Sequence, residues 1–305
     1  MPPLPSAEDD DADHPGTVGV DDALLRRWAL PAADGAKSSR GTCLVVGGSA
    51  LTPGAVMLAA IAALRSGVGK VQVATTVSAA AALAVAVPEA LVVGLEEDAD
   101  GQIVARSVDC LAESLAGATS VLVGPGCLDQ TATHALLVRV AALFDEGTLV
   151  VDAKALPGLA DDPSALHGQR GRAIVTPNAK ELAALAGLDE VGDDDLADVG
   201  GRMADRLGAV VAAKGADTWV AAPEDRRWRV PGGGSGLSTA GSGDVLAGVV
   251  AGLAARAAEP AQATVHAVHA HAEAGRRLAV RVGRFGFLAR ELLDEVPQVL
   301  DDLAP

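Results

Sequence analysis

Short, uninterrupted apolar runs recur along the chain. Each stops at glycine, proline or a carboxylate, and most are followed by a helical pattern. The runs are TCLVVGG (42–48), KVQVATT (70–76), SVLVGPG (120–126), TLVVDAKAL (148–156), RAIVTPN (172–178) and AVVAAKG (209–215). Between or after them lie GAVMLAAIAALRSG (54–67), THALLVRVAALFDEG (133–147), AKELAALAG (179–187) and two long helical stretches, 243–257 and 260–279. A strand with no polar face must be covered on both sides, so this alternation predicts an α/β fold. The expected core is a mostly parallel sheet between two layers of helices. TWVAA (218–222) and RWRV (227–230) read as a hairpin. No Pro-, Gly- or Ser-rich linker interrupts 30–305, so 19–305 is expected to be one domain.

Composition narrows the function. The net charge is −16, aromatic residues make up 2% and tyrosine is absent. Such a chain lacks the basic footprint of a nucleic-acid binder and the rings that stack single strands. Residues 1–22 carry seven carboxylates and no Lys or Arg, and 1–18 reads as a disordered acidic tail. The acidic stretch Asp189 to Asp198 reads as a solvated loop between helices. Cys43, Cys110 and Cys127 are odd in number and far apart, which fits a reduced, cytoplasmic setting. No secretion signal or bilayer-spanning stretch is evident, so no membrane partner is expected. His266, His269 and His271 share a predicted helix, but no carboxylate or cysteine completes a ligand set. They read as surface or interface histidines, with no metal site.

The chemistry concentrates in GGGSGLSTAGSGDVLAG (232–248), where a glycine-dense loop opens an apolar helix. The backbone N–H groups of Gly241, Ser242 and Gly243 would form an anion hole at the positive end of that helix. Asp244 follows in the first turn. It is either a dipole-favoured carboxylate or a general base for a hydroxyl undergoing phosphorylation, and the glycine density favours the base. Lys214 and Gly215 end a strand, where a lysine serves a phosphate or simply the surface. Asn178 after Thr176-Pro177 reads first as a helix N-cap on the same rim.

Together these segments resemble the ADP/ATP-dependent NAD(P)H-hydrate dehydratase family of the ribokinase-like superfamily. The carriers are GTCLVVGGS…PGAVMLAAIAALRSGVGKVQVAT (41–75), VLVGPG (121–126), VVDAKAL (150–156), VTPNAKE (175–181), AAKGADTWVA (212–221), LSTAGSGDVLAG (237–248) and HAEAG…GFLARELLDEVPQVL (271–300). The resemblance implies a three-layer ribokinase-like sandwich. It implies repair of NADH and NADPH hydrates with ADP, or ATP, and Mg²⁺ carried on the nucleotide. It assigns the damaged cofactor to Ala55, Gly126, Asn178 and Asp244, and the nucleotide to Lys214, Gly215, Ala216, Asp217, Thr218 and Gly243. It also implies a homo-oligomer, tetramer or dimer, and a separate epimerase as pathway partner. Several positions depart from the family pattern. Asn178 and Lys180 stand where TPHxGE has His and Gly, Lys154 interrupts DADAL, and Ala50-Leu51-Thr52 replaces a segment that usually carries a tyrosine. The TPNxxE form is shared with kinases of vitamin precursors, so a small-molecule kinase is an alternative reading. A nucleotide-binding relative without turnover is another.

Overall fold

In the computed structural model, residues 10–11, 14–32 and 36–304 are described. The strands are β1 (Asp10–Asp11), β2 (His14–Gly19), β3 (Thr42–Val46), β4 (Lys70–Thr76), β5 (Ala90–Leu95), β6 (Ser120–Val123), β7 (Thr148–Val151), β8 (Ala173–Val175), β9 (Ala209–Lys214), β10 (Thr218–Ala222) and β11 (Arg226–Val230). They form one sheet in the order β1-β2-β11-β10-β9-β8-β7-β6-β3-β4-β5. From β9 to β5 every neighbouring pair is parallel. β9, β10 and β11 form an antiparallel meander, and β2 joins β11 in parallel. Each residue of β6, β7 and β8 is buried, as strands covered on both faces must be.

The helices are α1 (Asp22–Arg27), α2 (Pro53–Arg65), α3 (Val77–Ala86), α4 (Ala112–Ala116), α5 (Gln130–Leu143), α6 (Gly158–Asp161), α7 (Ala179–Ala186), α8 (Leu196–Leu207), α9 (Ser242–Ala255), α10 (Pro260–Arg281) and α11 (Ala289–Asp302). One apolar core lies under α1, α2, α3, α9, α10 and α11. A second lies on the other face under α4 to α8. The expected three layers are therefore present. α9 is the most enclosed helix, and α2 crosses directly over it. A Cβ at Gly248 would stand 2.2 Å from the Ala59 carbonyl oxygen, so only glycine admits that approach.

Two expectations change. Residues 14–18 of the supposed tail, with Gly19, form β2, in which Val18 lies opposite Trp228 and Gly19 opposite Arg229. Pairing to a distant strand overrides the acidic composition. The rest of the tail lies outside the described residues, except Asp10–Asp11, which pair with β2. The loop expected at 189–198 is shortened, because α8 begins at Leu196 and buries Leu196 and Val199. Near the chain start, the rings of Trp28 and Trp228 stack with centroids 5.6 Å apart and join the end of α1 to β11.

Candidate functional site

The carboxyl ends of β3, β6, β7, β8 and β9 lie side by side and project their loops to one rim, the usual ligand edge of a parallel sheet. β9 ends at Lys214, whose N–H donates to the Pro177 carbonyl at 2.9 Å and ties the β8 and β9 loops together. Asn178 caps α7. Its Oδ1 accepts from the Glu181 N–H, and Glu181 Oε2 accepts from the Asn178 N–H, both at 2.9 Å. This reciprocal box explains the position of both side chains. Beside it, the Thr176 hydroxyl donates to Asp152 Oδ1 at 2.6 Å, and Lys214 Nζ lies 3.4 Å from the same oxygen. Asp152 is buried at the end of β7.

α9 brings Asp244 to this group. The helix starts from Gly241, held at φ +89°, a left-handed conformation suited to glycine. The Ser242 N–H already donates to the Thr239 carbonyl at 3.2 Å. Among the described residues, the N–H groups of Gly243 and Asp244 find no acceptor at this first turn. Of the amides expected to form an anion hole at Gly241, Ser242 and Gly243, that of Ser242 is already bonded, while those of Gly243 and of the neighbouring Asp244 are open. A Cβ at Gly243 would lie 3.6 Å from Lys214 Nζ, so the ammonium stands beside this first turn.

Electrostatics make Asp244 unusual. Burial pushes its carboxyl up to about 7, the Asp152 charge adds to this, Lys214 opposes it and Glu181 adds a little. Burial also raises Glu181, again against Lys214. A carboxylate poised near neutrality next to a lysine and open amides can exchange a proton with a group held in the anion hole.

A cavity of about 740 Å³ opens beside this turn. Its walls include Asn178, Lys180, Lys214, Gly215, Ala216, Thr218, Gly232, Gly233, Ser242, Gly243 and His271. Most of the residues assigned to the nucleotide thus surround one space. Asp217 does not line it. Its Oδ1 accepts from the Gly232 N–H at 2.9 Å, and its Oδ2 meets Arg229 Nη2 at 2.7 Å. Arg276 Nη1 donates to the Gly232 carbonyl at 2.9 Å, so the glycine loop is clamped on both sides. The Arg229 guanidinium also lies 5.8 Å from the Trp219 ring centroid.

Ala55 and Gly126 meet elsewhere on the rim. The Thr52 hydroxyl donates to the Gly126 carbonyl at 2.6 Å, and a Cβ at Gly126 would lie 3.1 Å from Ala55 Cβ. Neither residue lines the cavity described above. Asn178, grouped with them on the sequence, instead lies on the Lys214 side.

The three helix histidines are buried rather than superficial. His266 Nε2 lies 2.9 Å from the Trp28 carbonyl oxygen, His269 Nε2 lies 3.2 Å from Asp22 Oδ1, and His271 contacts Ser242. Sequence reasoning missed the roles of Asp152, Glu181 and His271. The available signal for Asp152 was a polar residue directly beyond a fully apolar strand, and for Glu181 the Asn-x-x-Glu spacing of a helix capping box.

Comparison with known proteins identifies the family. A model of the NAD(P)H-hydrate dehydratase family matches residues 43–298. An ADP-dependent (S)-NAD(P)H-hydrate dehydratase of Xanthomonas campestris is 46% identical over 285 residues, covering 92% of this chain and 95% of that protein. A bifunctional NAD(P)H-hydrate repair enzyme of Moorella thermoacetica is 36% identical over 89% of this chain, which spans 51% of that protein. The ADP/ATP-dependent NAD(P)H-hydrate dehydratase of Bacillus subtilis, co-crystallised with ATP and Mg²⁺, matches with a TM-score of 0.73 at 25% identity, covering 93% of this chain and 97% of that one. A ribokinase-like superfamily protein of Enterococcus faecalis shares the fold, with a TM-score of 0.80 at 23% identity over 97% of this chain and 99% of that one. With its glycine-opened helix, its rim of strand-end loops and this match over most of its length, the chain belongs to the NAD(P)H-hydrate dehydratase family.

Proposed function

We propose that the protein is an ADP-dependent (S)-NAD(P)H-hydrate dehydratase, a cofactor-repair enzyme, and that Asp244 is its general base. The reading rests above all on one observation. A carboxyl raised to about 7 by burial and by Asp152 stands at a helix N-terminus with open amides, beside Lys214. Lys214, Gly215, Ala216, Thr218 and Gly243 hold the nucleotide, and Asp217 acts through Gly232. The hydrate binds at the Ala55–Gly126 end of the rim.

In this mechanism Asp244 accepts the proton of the substrate hydroxyl as its oxygen bonds to the terminal phosphorus of ADP. The bond from that phosphorus to AMP breaks. The ring carbon–oxygen bond then breaks, phosphate leaves with the electron pair, and the neighbouring ring carbon loses a proton, regenerating NAD(P)H. The protein's contribution is positioning and charge stabilisation, as phosphoryl transfer requires. Among the described residues no group of three His, Cys, Asp or Glu is placed to hold a metal. We therefore take Mg²⁺ as part of the nucleotide substrate, with phosphate oxygens as its main ligands.

We further propose a cytoplasmic homo-oligomer, dimer or tetramer, fed by a separate NAD(P)H-hydrate epimerase. The free cysteines and the pairing of repair functions in bifunctional relatives support this setting. Residues from β2 onward are read as one catalytic domain, since one sheet runs through them. The test is recovery of NADH absorbance from NADH hydrate and ADP, with AMP and phosphate as co-products. Recovery that disappears in Asp244→Asn supports the assignment. Nucleotide consumed on a vitamin-precursor alcohol, with no NADH formed, overturns it.

A further inference from the structure

His271 lies on α10, directly beneath the first turn of α9, and is 8% exposed. Its Nε2 lies 2.9 Å from Ser242 Oγ and 3.0 Å from the Ser242 carbonyl oxygen. A carbonyl oxygen can only accept, so Nε2 must carry the proton. Burial, aided by the Lys214 charge, pushes His271 down to about 4, so the ring is neutral at working pH and Nε2–H is its donor.

Two consequences follow from planar peptide geometry. The Ser242 carbonyl and the Gly243 N–H belong to one trans peptide, so they point in opposite directions. Holding the carbonyl against α10 fixes the plane of the peptide and with it the direction of the Gly243 N–H, at a residue where a Cβ would stand 3.6 Å from Lys214 Nζ. A protonated Nε2 also cannot accept from Ser242, which leaves the hydroxyl proton free to turn into the cavity that Ser242 and His271 both line. Since the Ser242 amide is already bonded to Thr239, its hydroxyl is the donor that this residue can still offer.

We propose that His271 is the positioning residue of the phosphoryl-binding turn: its Nε2–H orients the 242–243 peptide and releases the Ser242 hydroxyl as a further donor to the transferring phosphoryl group. This rests on the dehydratase reading above.

The experiment compares the wild type with His271→Gln, His271→Leu, Ser242→Ala and the double variant His271→Leu/Ser242→Ala. It measures kcat, KM for NADH hydrate, ADP affinity by calorimetry, and melting temperature. Glutamine can place an N–H near the position of Nε2, whereas leucine fills the volume without a donor. His271→Leu should lower kcat by about 10- to 100-fold, less than loss of a direct oxyanion donor, with KM for the hydrate unchanged. It should also weaken ADP binding, while His271→Gln stays within about threefold of the wild type in both readouts. Ser242→Ala should add little in the His271→Leu background. Glutamine as damaging as leucine, independent effects of the two sites, or losses that only follow the melting temperature would overturn the proposal. A wild type that fails to regenerate NADH defeats the dehydratase reading instead. ADP affinity then still decides the role of His271.

Discussion

Asp244 bears a conflict between stability and chemistry. Its folded value of about 7 lies above the ordinary 3.8, so folding favours the protonated form. The resulting penalty is absent below about pH 4, grows between the two values and is complete above about pH 7. Asp244→Asn should therefore melt higher than the wild type at pH 8, by about 1–2 kcal/mol with solvent screening included, and show little difference near pH 4. The same variant should lose roughly 10²- to 10⁴-fold in turnover. In the wild type, kcat/KM should fall as pH drops through about 7, because the base becomes protonated. Thermal melts and rate profiles over pH 5–9 check both. Asp244 and Lys214 were legible in the sequence because each adjoins a glycine at the border of an apolar strand or helix. Asp152, Glu181 and His271 were not, since they reach the site from β7, α7 and α10 through the topology, and no local spacing announces that meeting.

At the scale of elements, α7 is the part most dependent on one side chain. Its N-terminus rests on the Asn178–Glu181 box, and it ends at Gly187 in the left-handed region, φ +70°. Asn178→Ala should cost about 1 kcal/mol, read as a lower denaturant midpoint at unchanged slope, while Asn178→Asp should keep the cap. The Glu181 N–H would lose its acceptor, but Glu181 Oε2 keeps the backbone N–H of residue 178, so the carboxylate stays in place at the rim. The central strands β3, β6, β7, β8 and β9 could be read from sequence because burial on both faces leaves an unbroken apolar signature. β2 could not, since it is held by its register with Trp228 and Arg229 on a strand far along the chain. α3 and β5 were hidden for the opposite reason. From Val77 to Leu95 the chain is almost uniformly apolar, so neither element shows a period of its own and only Pro88-Glu89 marks the passage from helix to strand.

The whole molecule carries −16 while its proposed ligands are anions. Attraction is confined to the rim, where Lys214, Lys180 and two helix N-termini border one cavity. Beyond about 10 Å at 0.1 M salt the net repulsion is screened. Raising the ionic strength from about 0.02 to 0.15 M should therefore increase kcat/KM for ADP by roughly two- to threefold, the reverse of an electrostatically steered enzyme. Removing residues 1–13, which hold five of the carboxylates, should flatten that dependence.

With no tyrosine in the chain, its intrinsic emission comes from three indoles. The stacked Trp28 and Trp228 lie at the β2–β11 side of the sheet. Trp219 instead faces Arg229, which grips Asp217, which in turn grips the Gly232 amide in the cavity wall. A ligand pressing on that wall should reach Trp219 through three consecutive contacts, so titration with ADP is expected to shift the protein's unlabelled indole emission.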